Sequence, residues 1–60
     1  MWVVYALRNH GNPNRDWVEI TGKFVNRYYA RKRAMQIRAT GLYSRIAIQC
    51  EDCTVLREEV

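Results

Sequence analysis

The sequence predicts an α+β domain in which one helix packs on one face of a four-stranded, mainly antiparallel sheet, in the order β-β-α-β-β. Three observations predict it. From Asn26 to Thr40 the apolar residues recur at spacings of four and three, with no Pro or Gly before Gly41. On either side lie short runs rich in Val, Ile and aromatic residues, the side chains that suit a pleated surface. The chain has 60 residues, enough for one domain spanning 1–60, and a chain of that size buries only roughly 60% of its extended surface.

Trp2 to Leu7 (WVVYAL) is the first strand, apolar on both of its alternating faces, which places it centrally in the sheet. Asn9-His10-Gly11-Asn12-Pro13-Asn14 is a cluster of turn formers and the clearest loop. Trp17 to Phe24 returns as a second strand, antiparallel to the first, with Val18 and Ile20 toward the core and Gly22 marking a bulge.

Asn26 is suited to cap the helix, because its side chain can accept a hydrogen bond from a first-turn N–H. Ala30, Ala34 and Ile37 share one face, and Tyr28, Met35 and Ala39 are expected to widen it. Small residues on that face let the helix backbone come close to the sheet, and Gly41 stands where a left-handed residue would end the helix. Leu42 to Gln49 is the third strand, with Ile46 and Ile48 on one face and Arg45, Ala47 and Gln49 on the other. Cys50 to Cys53 makes a turn, Thr54 to Arg57 a fourth strand, and the charged end is expected to fray. One helix on one sheet face leaves the other face open, to be covered by a homodimer or a partner.

The N-terminal strand, the Trp near the start of the second strand, Ala30-x-x-x-Ala34, and Arg45-Ile46-Ala47-Ile48 followed by Leu56-Arg57-Glu58-Glu59 together resemble a group of short uncharacterised prokaryotic and phage domains. The likeness covers nearly the whole chain and implies the fold and no activity. The chain departs from that group in carrying Cys50 and Cys53 where a glycine-containing turn is expected, and in its longer first hairpin.

The net charge is +4, unevenly placed. Between Ile20 and Cys50 there is no acidic residue, whereas Lys23, Arg27, Arg31, Lys32, Arg33, Arg38 and Arg45 are all basic. The last ten residues reverse this, with Glu51, Asp52, Glu58 and Glu59 against Arg57. A basic field attracts nucleic acid, anionic lipid or an acidic protein. No run approaches the 18 apolar residues of a membrane span, and MWVVYAL lacks the basic leader of a signal peptide. The expectation is a cytoplasmic protein without membrane contact.

Cys50-x-x-Cys53 has the spacing of half a zinc site or of a redox dithiol. Zinc needs two further ligands, and His10 is the only histidine. Glu51 and Asp52 would raise rather than lower a thiol pKa. Reduced structural thiols are the expected state, and no metal or cofactor is implied. The better candidate is the helix ridge. Arg27, Arg31 and Arg38 fall along one flank, with Lys32 and Arg33 further round, and such a ridge can contact phosphates or carboxylates. Tyr28 at its start can stack or anchor, and Trp17 at a loop edge is a candidate hot-spot residue.

Nothing suggests catalysis. There are no paired carboxylates flanking a cleft, and Gly11, Gly22 and Gly41 form no phosphate-binding loop. The sequence points to a non-catalytic binding or regulatory module that recognises a protein partner, or itself as a homodimer, through the ridge and aromatic anchors. The alternatives are a nucleic-acid binder that uses Arg27, Arg31, Lys32, Arg33 and Arg38, and a structural domain with a Cys-x-x-Cys metal or redox turn.

Overall fold

The computed structural model describes residues 1–51 and 57–60. Strand β1 (Trp2–Arg8), strand β2 (Trp17–Glu19), helix α1 (Arg27–Arg38), strand β3 (Tyr43–Cys50) and strand β4 (Glu58–Glu59) follow in that order. The sheet order is β2-β1-β3-β4, with every pairing antiparallel. This is the predicted α+β architecture. β1 is central, and the burial of Val3, Val4, Ala6 and Leu7 shows why both of its faces are apolar.

The helix is set by local chemistry at each end. Asn26 is extended and its side-chain oxygen accepts a 2.8 Å hydrogen bond from the Tyr28 N–H. At the other end the bonding tightens: the amides of Thr40 and Gly41 donate to the carbonyls of Ile37 and Arg38. Gly41 then takes a positive φ of 75°, as a glycine following a helix commonly does. Ala30 and Ala34 are fully buried against Val4, Ala6, Ile46 and Ile48. Without longer side chains between them, the helix lies directly on β1 and β3.

The buried face is narrower than the sequence implies. Tyr28 and Met35 are 63% and 49% exposed, and Ala39 is exposed too. At about 100° per residue, Met35 and Tyr28 lie roughly 100–120° round the helix from Ala34. Contact through two alanines extends no further than Ile37 on one side of them.

The second strand is shorter than expected. β2 stops at Glu19, although Ile20 N–H still donates to the Val4 carbonyl at 3.1 Å. Continued in register, Trp2 would face Gly22. It pairs instead with Phe24 through two backbone hydrogen bonds of 2.6 and 2.7 Å, so two residues around Gly22 are looped out. Ile20 and Phe24 pack on the core, whereas Val18, opposite Ala6 on an edge strand, remains 42% exposed.

The end of the chain corrects another expectation. Most of the predicted strand Thr54 to Arg57 lies outside the described residues, as does Cys53. The charged end does not fray: Glu58 and Glu59 pair with Ile48 and Ala47 as β4, Val60 N–H donates to Ile46 at 3.0 Å, and Val60 packs on the core.

The sheet face opposite the helix is closed within the chain. Val3, Leu7 and Ala47 are buried there. Trp17, across from Leu7, covers part of it, and its indole N–H donates to the Pro13 carbonyl at 2.7 Å. The Arg57 guanidinium lies 4.4 Å from the Trp17 ring centroid and 5.8 Å from that of Tyr5, and Arg45 lies 5.3 Å from Trp17. The loop before Trp17 presses so close that a Cβ on Gly11 would stand 2.9 Å from Leu7 Cδ1. The apolar residues Val3, Leu7 and Ala47 of this face are covered within the chain, so the expected open apolar face is not found among the described residues.

Ala34→Glu should abolish cooperative thermal unfolding and collapse amide NMR dispersion, because an unpaired buried charge costs more than about 3 kcal/mol. Gln36→Glu, on the exposed side, should leave the melting curve within about 0.5 kcal/mol of the parent.

Candidate functional site

The basic residues of the helix divide into groups with different fates. Arg27 is engaged by the edge strand: its Nε donates to Glu58 Oε2 at 2.9 Å and its Nη2 to Glu58 Oε1. This is a two-pronged carboxylate contact across the helix side of the sheet. Arg31, on the same flank, has its Nη1 3.5 Å from Met35 Sδ and, among the described residues, forms no ion pair. Lys32 points outward, and Arg38 closes the flank in the last turn. Neither is ion-paired among the described residues. Arg33 lies round the other side, where its Nη1 donates to Gln36 Oε1 at 3.2 Å.

Arg31, Lys32, Tyr28, Met35 and Gln36 line an open groove of about 410 Å³ along the outer helix. Arg31 and Met35 also border a second groove, of about 500 Å³, which runs down to the sheet and reaches Arg38, Tyr43, Ser44 and Val60. The outer groove is lined mainly by apolar surface, the second by polar and apolar surface in similar measure, and cations border both. Tyr28 meets Tyr29 edge-on, with centroids 5.4 Å apart and planes at 77°.

The residues singled out from the sequence therefore do not form one site. Arg31, Lys32, Arg38 and Tyr28 share this surface, Arg27 is committed to Glu58, and Arg33 is on the far flank. Trp17 lies on the opposite sheet face, beneath Arg57 and Arg45. Cys50 is buried on the helix side, opposite Trp2 in β1. With Cys53 outside the described residues, the Cys-x-x-Cys turn is not described. Among the described residues, no three His, Cys, Asp or Glu side chains are grouped to hold a metal ion. No described helix is long and apolar enough to cross a membrane.

Two contributors to the surface are not apparent in the sequence: Met35, expected on the packed face, and Val60, expected in a frayed end. Their common signal is position at the rim of the Ala30/Ala34 contact, which becomes visible only once the width of that contact is known.

The acidic end supplies the electrostatics of the β4 edge. Glu59 mirrors Glu58 on the other face, accepting from Arg45 Nε at 2.6 Å and Nη2 at 2.8 Å. The hydrogen bond from Arg27 holds the Glu58 carboxyl below the usual glutamate range, with desolvation opposing and the charges of Arg27 and Arg31 assisting. Arg45 lowers Glu59 in the same way, with help from Arg57. Compared with known protein families, curated proteins and solved structures, the chain matches none.

A carboxylate whose native pKa lies below its unfolded value stabilises the fold above the unfolded value and ceases to do so as pH falls through the native one. The urea midpoint should therefore fall as pH drops below about 4.3, the ordinary glutamate value. In the double variant Glu58→Gln/Glu59→Gln it should start lower at pH 7 and fall less between pH 5 and pH 2.5. An equal acid-induced fall in parent and variant would show that these two pairs contribute nothing.

Proposed function

We propose that this protein is a non-catalytic binding module that recognises an acidic protein partner through the outer and β4-side flank of its helix. The observation that carries this is the exposure of Tyr28 and Met35 on a grooved surface rimmed by Arg31, Lys32 and Arg38. Apolar groups flanked by cations that form no ion pair among the described residues suit a partner segment carrying both carboxylates and apolar anchors. Aromatic and thioether side chains supply adaptable contact area there. Arg27 contributes through the fold, not through the partner. An accessory or regulatory role fits a module of this size, as does an intracellular location.

A nucleic-acid reading is supported by the same cations and remains the second choice. The outer groove, between Tyr28 and Met35, is mainly apolar, which favours a polypeptide with apolar anchors over a phosphate backbone. In both readings the chain acts by binding alone.

The two separate in titrations of the ¹⁵N-labelled protein with a glutamate–tyrosine copolymer and with oligo-deoxythymidine, each across a salt series. The copolymer should shift amides of residues 28–38, and Tyr28→Ser or Met35→Ser should weaken it at least fivefold. Binding of the oligonucleotide with a steep salt dependence, unaffected by Tyr28→Ser and Met35→Ser and with no response to the copolymer, would replace the first reading with the second.

A further inference from the structure

Resting on that reading, a more specific mode of recognition follows from the sheet edge. β3 runs from Tyr43 to Cys50, but β4 covers only Ala47 and Ile48, with Val60 adding one hydrogen bond to Ile46. The first part of β3, Tyr43 to Arg45, has β1 on one side and, among the described residues, no strand on the other. The 500 Å³ groove opens along that stretch, with Met35, Tyr43 and Val60 as apolar lining and Arg31 and Arg38 as cationic rim.

The chain's own β4 shows how this edge is read. Glu58 and Val60 both point to the helix side, Glu58 into the fork of Arg27 and Val60 onto the core. Glu59 points the other way, to Arg45. The helix-side pattern is thus a carboxylate and then an apolar residue, at alternate positions of an extended strand. Arg31 and Arg38 continue the flank that Arg27 begins and have no carboxylate partner among the described residues.

We infer that an extended acidic segment of the partner adds as a strand beside Tyr43–Arg45, in line with β4, setting an apolar side chain into the Met35/Tyr43/Val60 groove and a carboxylate between Arg31 and Arg38. Strand addition supplies main-chain hydrogen bonds for affinity, while alternate side chains supply selectivity. The partner's required pattern is Glu or Asp and an aliphatic residue two positions apart, with any polar residue between them.

The probe is a blocked octapeptide with Ser at odd positions and alternating Val and Glu at even positions, titrated into the ¹⁵N-labelled full chain. The expected result is protection from exchange at the Ser44 amide, which faces the open edge because Arg45 is turned to Leu7 and Val60 N–H already bonds Ile46, with shifts at Arg45 and Val60 and cross-strand NOEs between peptide and β3. N-methylating a central Val or Glu of the peptide, which removes a donor at the helix-side positions that face β3 as Val60 does, or replacing Glu by Lys should each weaken binding at least tenfold, as should Arg31→Gln/Arg38→Gln in the protein. Peptide shifts confined to Tyr28, Lys32 and Gln36, or an N-methylated peptide that binds equally well, would overturn strand addition and leave recognition by the helix surface standing. No response to the octapeptide or to the copolymer would overturn both.

Discussion

The close seating of α1 on β1 and β3 through Ala30 and Ala34 is the constraint on which the rest of the molecule depends. An alanine face brings the helix backbone near the sheet, but it covers a strip little wider than two strands. Val4, Ala6, Ile46 and Ile48 lie beneath that strip and are buried. Everything beyond it must be held in other ways. Val18 on the β2 edge stays half exposed, Ile20 and Phe24 reach the core only at its margin, and β4 relies on charge. The same narrowness turns Tyr28 and Met35 outward. The surface proposed for binding is thus a consequence of how the core is packed.

On the β4 side, strand alternation and ion pairing act together. Successive residues of a strand face opposite ways, so Glu58 meets Arg27 on the helix side and Glu59 meets Arg45 on the other. Exposed ion pairs contribute little individually, and their effect here is chiefly on register. A slip by one residue would exchange the faces of both carboxylates and turn Val60 away from the core. The charged edge also discourages non-specific pairing with other sheets. On the proposed reading, a strand added beside Tyr43–Arg45 must bring its own carboxylates to Arg31 and Arg38.

Much of the fold was legible because its signals are local. Asn26 and Gly41 mark the helix with residues that act within a turn of it, and the two apolar faces of β1 identify a central strand. Strand parity already separated Trp17 from the helix: if Val18 and Ile20 face the core, Trp17 faces away, so it could not join a helix-borne site. The width of the helix contact was not legible. Spacings of seven and four line up Tyr28, Met35 and Ala39 in a row beside Ala30 and Ala34, and only the sheet beneath decides where contact ends. Nor did the Gly22 region reveal that two residues are looped out before Phe24 returns to Trp2. The pairing of Glu58 and Glu59 was not legible either, because the fork between Arg27 and Glu58 joins residues 31 apart in sequence and leaves no local trace.

Intramolecular pairing also changes the meaning of the net charge. Summed along the sequence, the basic centre and acidic end suggest a diffuse positive field. In the folded chain, Arg27 and Arg45 are taken up by Glu58 and Glu59, and Lys23 contacts Glu51 at 3.2 Å. Arg57 is spread over Trp17 and Tyr5. Among the described residues, most of the cations that form no ion pair are on the helix, where Arg31 and Arg38 flank the groove beside β3 and Lys32 stands above it. A partner selected by bulk charge would meet these cations from any direction. A partner selected by this geometry must present carboxylates at the spacing of the groove rim and apolar groups between them, which polypeptides provide readily and a uniform phosphate backbone does not.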